Sequence, residues 1–150
     1  MVGRVWLGLT VIVVMVTGCS AGHGSSRTIK MDSGDQFSVT LPSGWTVEPS
    51  DTQKVFLFGK SEGAVFVSEA DCAPAVQCGV DKKRLFGGDV TEVTFNGVTY
   101  QRHDYEAAWA GGDQQSYYID WNDRTYTFTI SFPNDQKTIE TVMGSVVWQK

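Results

Sequence analysis

A chain of 150 residues fits one domain, and 41% apolar against 19% charged residues is an ordinary globular balance. Five Trp, five Tyr and eight Phe supply a dense small core, which argues against disorder of the whole chain. The formal charge of −5 argues against a nucleic-acid partner and against electrostatic attraction to anionic lipid.

The N-terminus opens with a free amine and Arg4, followed by an apolar run over residues 5–17 (VWLGLTVIVVMVT). As a helix this run rises roughly 20 Å, short of a hydrocarbon core of ~30 Å. A permanent transmembrane helix therefore fits poorly, and a cleaved secretory signal remains an alternative. Val16-Thr17-Gly18-Cys19 resembles the bacterial lipobox, an aliphatic residue and two small residues before a cysteine. The resemblance implies a lipoprotein signal peptide over residues 1–18, cleavage before Cys19, and a diacylglycerol on its thiol. Each buried CH₂ of an acyl chain contributes about 0.8 kcal/mol, so two or three chains hold firmly. Cleavage would remove Arg4 and no acid, leaving the mature chain one unit more negative. The expected location is the bacterial cell envelope, with the membrane held through lipid on Cys19. Ser20, in place of Asp, favours the outer membrane in a Gram-negative host; in a Gram-positive host the site is the outer face of the cytoplasmic membrane.

Residues 19–34 are rich in Ser and Gly and read as a lipidated flexible tether. His23 in this stretch reads as plain surface. Residues 35–150 are expected to form a single α+β domain. Phe37, Val39 and Leu41 alternate with polar residues as a half-buried strand, and Pro42-Ser43-Gly44 turns the chain. Lys54–Phe58 and Ala64–Ser68 read as strands around a Gly59–Gly63 loop. A short helix is expected around Val80–Phe86. Asn96-Gly97 predicts a two-residue hairpin pairing Phe95 with Val98 and Val93 with Tyr100. A second hairpin about Asn122-Asp123 pairs Ile119 with Tyr126 and Tyr117 with Phe128. Pro133-Asn134-Asp135 supplies a stop and a cap. Ile139, Val142, Met143, Val146 and Val147 then recur at helical spacing. The sum is an α+β fold, a mainly antiparallel sheet of five to seven strands covered by a C-terminal helix and a second short one.

Once Cys19 is assigned to lipid, Cys72 and Cys78 remain, and an exported domain with two further cysteines points to one disulfide. A redox pair would more typically be C-x-x-C, and a metal site lacks two further ligands. His103 falls on the polar face of its strand and reads as a surface residue. Its neighbour Asp104 points to the opposite face, so the two form no dyad. No G-x-S-x-G, P-loop or dinucleotide fingerprint occurs. Asp113, Asp120 and Asp123 lack EF-hand spacing and read as turn and strand-exit residues. No catalytic residue, metal or cofactor is expected. Trp109, in the loop between the hairpins, and Tyr118, on the polar face of the second, are the candidate partner contacts. The alternative for Trp109 is a ring folded back onto the core.

The order FSVTLPSGW, two strands, a helical crossover, hairpins and a terminal helix ending SVVW resembles the PsbP/DcrB-like fold over roughly residues 35–148. Phe37, Leu41, Pro42, Gly44, Trp45 and Ser145-Val146 carry the likeness; the short central helical segment with two cysteines departs from it. The resemblance implies an assembly or binding module with no shared catalytic centre. The leading expectation is a non-catalytic envelope lipoprotein with a protein partner. The alternatives are a small-ligand carrier with a pocket lined by Trp45, Tyr117 or Phe128, and a hydrolase built around His103.

Overall fold

The computed structural model describes residues 24–50, 55–60, 63–107, 112–131 and 136–150. The signal segment, Cys19, His23, Trp109 and the Pro133–Asp135 cap all lie outside the described residues. Among the described residues the elements follow in the order β1 (Ser25–Lys30), β2 (Gln36–Leu41), β3 (Thr46–Ser50), β4 (Val55–Lys60), β5 (Gly63–Glu69), α1 (Ala75–Phe86), β6 (Asp89–Phe95), β7 (Val98–Ala107), β8 (Gly112–Trp121), β9 (Arg124–Ser131), α2 (Gln136–Gly144) and β10 (Val147–Gln149).

Seven strands form one antiparallel sheet, β3-β4-β5-β9-β8-β7-β6, and three form a smaller sheet, β1-β2-β10. Both tight hairpins have the expected register. Phe95 pairs with Val98 and Val93 with Tyr100; Ile119 pairs with Tyr126 and Tyr117 with Phe128. Their turns rest on residues that tolerate positive φ, Asn96 at 50° with Gly97 at 74°, and Asn122 at 47° with Asp123 at 61°.

The two faces of the large sheet have different covers. Tyr100, Tyr117, Ile119, Tyr126 and Phe128 point into the main core, shared with Phe37, Val39 and Leu41 of β2, Met143 of α2 and Trp148 of β10. Phe37 is the joint between the layers, with ring centroids 5.5 Å from Phe128 and 5.0 Å from Trp148. The opposite face receives α1, whose Ala75 and Cys78 pack on Tyr118.

Three expectations change. Among the described residues ordered structure is already present at Ser25, ahead of residue 35, because β1 pairs along β2 from Ser25↔Leu41 to Lys30↔Gln36 and buries Ile29. The flexible tether expected over 19–34 is thus a strand and turn over most of its length. The C-terminal helix stops at Gly144, and Val146 and Val147 do not extend its apolar face. Instead Ser145 receives the Thr40 N–H on its Oγ at 2.9 Å, and β10 pairs with β2, Trp148 opposite Phe37. Alternation then sends Val146 and Trp148 inward and leaves Val147 exposed. The central helix is longer than expected, starting at Ala75.

Candidate functional site

Helix α1 lies on the polar face of the sheet, and small residues let it approach. Gly79 is the tightest point: a Cβ there would stand 2.9 Å from Val90 Cγ1. Ala75, Cys78 and Gly79 are the buried positions of the helix. At its start, the Ala75 N–H donates to Asp120 Oδ1 at 2.9 Å, and the same oxygen accepts from Thr125 Oγ1 at 2.6 Å. Asp120 therefore caps the helix and holds it to the second hairpin. Cys72 and Cys78 are joined as a disulfide with Cα atoms 5.4 Å apart, which ties the preceding loop to the first turns. Opening a loop of separation six should cost about 2 kcal/mol in the chain-entropy view. The urea midpoint of the reduced chain, compared with the oxidised one, reads that loss directly.

Tyr118, expected as an exposed contact, is 3% exposed because α1 covers it. His103, expected on the surface, is buried for the same reason. Its ring stacks on Tyr105 at 4.6 Å and 11°, and Nε2 donates to the Gly87 carbonyl at 2.7 Å. Nδ1 has no partner among the described residues. His103 and Tyr118 lie on the non-core faces of their strands, as alternation requires, and α1 covers that face.

What α1 presents outward is unusual for a small domain. Large apolar side chains left exposed among the described residues are Phe66, Val76, Val80, Leu85, Phe86 and Val147, and four of these lie on α1. Leu85 is 71% exposed, the most of the group. The same helix carries the consecutive cations Lys82, Lys83 and Arg84. Phe86 stacks on Tyr105 at 5.6 Å, and Lys82 Nζ sits 5.7 Å from the Phe86 ring centroid. The chain leaves α1 through two glycines. Gly87 has φ 70° and donates its N–H to Lys83 O at 2.9 Å; Gly88 has φ 82° and lies against the Asp104 carbonyl.

Around this end of the sheet lies an open groove of about 490 Å³, lined by Asp89, Arg102, Asp104, Glu106 and Asp113, with Gly88 and Tyr105 at the α1 side. Its charged side chains follow from register. Glu106 pairs with Asp113 and Asp104 with Asp89, so carboxylates distant in sequence share one patch. Arg102 Nε binds Asp104 at 2.9 Å. That hydrogen bond raises the Arg102 guanidinium above its ordinary value, against the opposing effect of burial. A second open groove of about 360 Å³ runs beside Pro74, Asp120, Asn122 and Arg124.

At the far end of β2, Asp35 accepts from Tyr126 Oη, and from Asn122 Nδ2 at 2.7 Å, while Ser33 Oγ lies 2.7 Å from the same tyrosine oxygen. Burial pushes the Asp35 carboxyl up, but these donors and nearby Arg124 outweigh it and hold it below its ordinary value. The cluster pins the Gly34 turn to the second hairpin. Burial pushes the phenols of Tyr100, Tyr118 and Tyr126 up to about 12, and the Asp35 carboxylate adds to the shift at Tyr126. Unfolded tyrosine titrates near ~10. The fold thus favours the neutral phenols, so their contribution is complete below about pH 10 and is lost as pH rises toward the folded values. Denaturant midpoints measured from pH 8 to pH 12 should fall steeply over the upper half of that range, together with the appearance of tyrosinate absorbance.

Among the described residues no three His, Cys, Asp or Glu side chains are placed to share a metal ion, and no helix is long and apolar enough to cross a membrane. Trp45, Tyr117 and Phe128, the expected pocket lining, are core residues in close packing.

The two-helix, antiparallel α+β arrangement is a PsbP-like fold. One solved structure that shares it is cyanobacterial PsbP (CyanoP) from Synechocystis, at 17% identity and a TM-score of 0.51, covering 89% of this chain and 99% of that one. Another is a crystal structure from Bacteroides thetaiotaomicron at 15% identity and a TM-score of 0.54, covering 76% of this chain. The chain spans less than half of that protein's length, 45%. No family model and no curated protein matches the sequence.

Proposed function

We propose that this chain is a membrane-anchored envelope lipoprotein whose domain is a non-catalytic binding or assembly module, with α1 as its contact surface. The observation that carries the binding role is the concentration of exposed apolar side chains on α1, where four of the six large ones lie. Patches of this kind on soluble domains mark interaction sites. The PsbP-like fold is compatible with such a module. The hydrolase alternative loses its base, because His103 is enclosed and the Asp104 carboxylate is engaged by Arg102. The carrier alternative loses its pocket to the packed aromatic core.

The lipobox-like sequence supports the anchor. With β1 beginning at Ser25, six Cα steps separate Cys19 from the fold, a contour limit of about 20 Å. An anchored domain would stay close to its lipid. The mass of the mature chain from native membranes tests this reading. A diacylated Cys19 N-terminus, lost when lipoprotein signal peptidase is inhibited, is the expected result. A mature chain with an unmodified Cys19 would remove the anchor.

A further inference from the structure

Among the described residues the sheet edges are β3 and β6 of the large sheet and β1 and β10 of the small one. An open edge is a row of unpaired N–H and C=O groups, which proteins blunt with proline, charge or shortness. β3 contains Pro49, which has no N–H to offer. β1 carries Arg27 and Lys30, and β10 has three residues. β6 has none of these devices. Its sequence is DVTEVTF, and all seven residues pair with β7 in one unbroken register. The two-residue turn makes Phe95↔Val98 a pair that exchanges hydrogen bonds, and alternation repeats this at Val93 and Thr91. Val90, Glu92 and Thr94 therefore point their N–H and C=O groups away from β7. The Glu92 side chain does not guard the edge, because it accepts from Gln101 Nε2 at 2.7 Å, back toward β7.

Helix α1 stands beside this edge. Gly79 approaches Val90 of β6, whereas Cys78 packs on Tyr118 of β8. The helix flank on the β6 side is then Val76, Val80 and Lys83, and all three are exposed. On the core side of β6, Val93 and Phe95 are only half-buried. We propose that the β6 edge takes an extended segment of a protein partner as an added strand, with this flank of α1 as its side wall. This rests on the reading of α1 as the contact surface and states what lies against it. Another strand matches the edge's alternating donors and acceptors group for group, which lipid does not. Its alternate residues would face Val76, Val80 and Lys83 on one side, and Val93 and Phe95 on the other. The segment is therefore apolar on both faces, with a carboxylate toward Lys83 and Arg84, which make no ion pair among the described residues. The body of the partner then lies over the outer face of α1, where Leu85 stands.

Random linear decapeptides displayed on phage, screened against the mature acylated chain in neutral detergent, supply the probe. Enriched peptides should alternate apolar residues and carry an Asp or Glu. The strongest binder, synthesised and added to the same chain, should slow hydrogen exchange at the Val90, Glu92 and Thr94 amides about tenfold or more. Glu92→Pro removes an outward donor but no β6–β7 bond, and should weaken binding about tenfold or more. Glu92→Ala should leave binding unchanged. Lys83→Glu/Arg84→Glu should weaken it about fivefold. Circular dichroism and urea midpoints confirm that the variants are folded; should the proline variant not fold, the exchange pattern of the parent decides alone. No enriched peptide, or a bound peptide that leaves those three amides unprotected, overturns strand addition. A parent that dimerises through the same amides without peptide overturns the separate partner. Binding that ignores Glu92→Pro and is lost with Val80→Ser/Leu85→Ser would overturn strand addition while leaving the binding role of α1 standing.

Discussion

Phe37→Ala should destabilise the domain by about 3–5 kcal/mol. Phe37 is fully buried, and its ring is held edge-on to Phe128 and tilted against Trp148. Those partners belong to different layers: Phe128 to β9 of the large sheet and Trp148 to β10 of the small one. Trp148 extends the contact to Trp121 at 5.4 Å and Tyr126 at 4.9 Å, and its Nε1 donates to Tyr100 Oη at 3.3 Å. Removing the ring leaves a cavity that neither sheet closes alone, since the backbone pairing of β2 fixes its distance from β10. The small sheet should loosen first. Urea unfolding gives the global loss, and hydrogen exchange should show β1 and β10 amides exposed before those of β8 and β9. A loss below about 1 kcal/mol would mean that the two sheets do not depend on this joint.

Gly88→Ala should be the most damaging small substitution near the candidate site. Its φ of 82° costs an L-residue about 1–2 kcal/mol by itself. A Cβ would also stand 1.9 Å from the Asp104 carbonyl oxygen, which β7 holds in place. The strand cannot yield without disturbing its pairing with β6 and β8, so the α1–β6 connection must move. Gly87 is the internal control. It too has positive φ, but a Cβ there meets nothing within 4 Å. Gly87→Ala should therefore cost less than Gly88→Ala. Only the Gly88 variant should release the Phe86–Tyr105 stack, read as increased exchange of the last turn of α1. Equal urea midpoints for the two variants would remove the close approach as the cause.

The hairpins were legible because turn chemistry and strict alternation agree at Asn96-Gly97 and Asn122-Asp123. The resemblance on Phe37, Trp45 and Ser145-Val146 led to the right fold, although its helical reading of the last residues failed. Val146 and Val147 fit a helical spacing, but Trp148 has four aromatic neighbours and β2 offers an open edge. That competition is decided by long-range packing. β1 was hidden for a related reason: among its six residues only Ile29 is buried, and the rest is polar. The candidate site was the least legible part. The inward positions of α1, Ala75, Cys78 and Gly79, give little amphipathic signal, so the helix seat over Tyr118 and His103 went unseen. The Lys82–Arg84 stretch was printed in the sequence, but the overall acidic balance concealed it. Asp89, Glu106 and Asp113 come together only through strand register.

Photo-crosslinking from position 85 in living cells tests the proposed role of α1 as a binding surface most directly. Leu85 is 71% exposed and supports no core contact, so a photoreactive side chain there leaves the fold intact. The expected result is one discrete adduct in the membrane fraction, absent when Val80 and Phe86 are changed to Ser, and absent from a control probe at exposed Asp123 at the opposite end of the sheet. A probe at position 85 that yields only the diffuse adducts of the control would contradict the assignment of this helix as the binding surface.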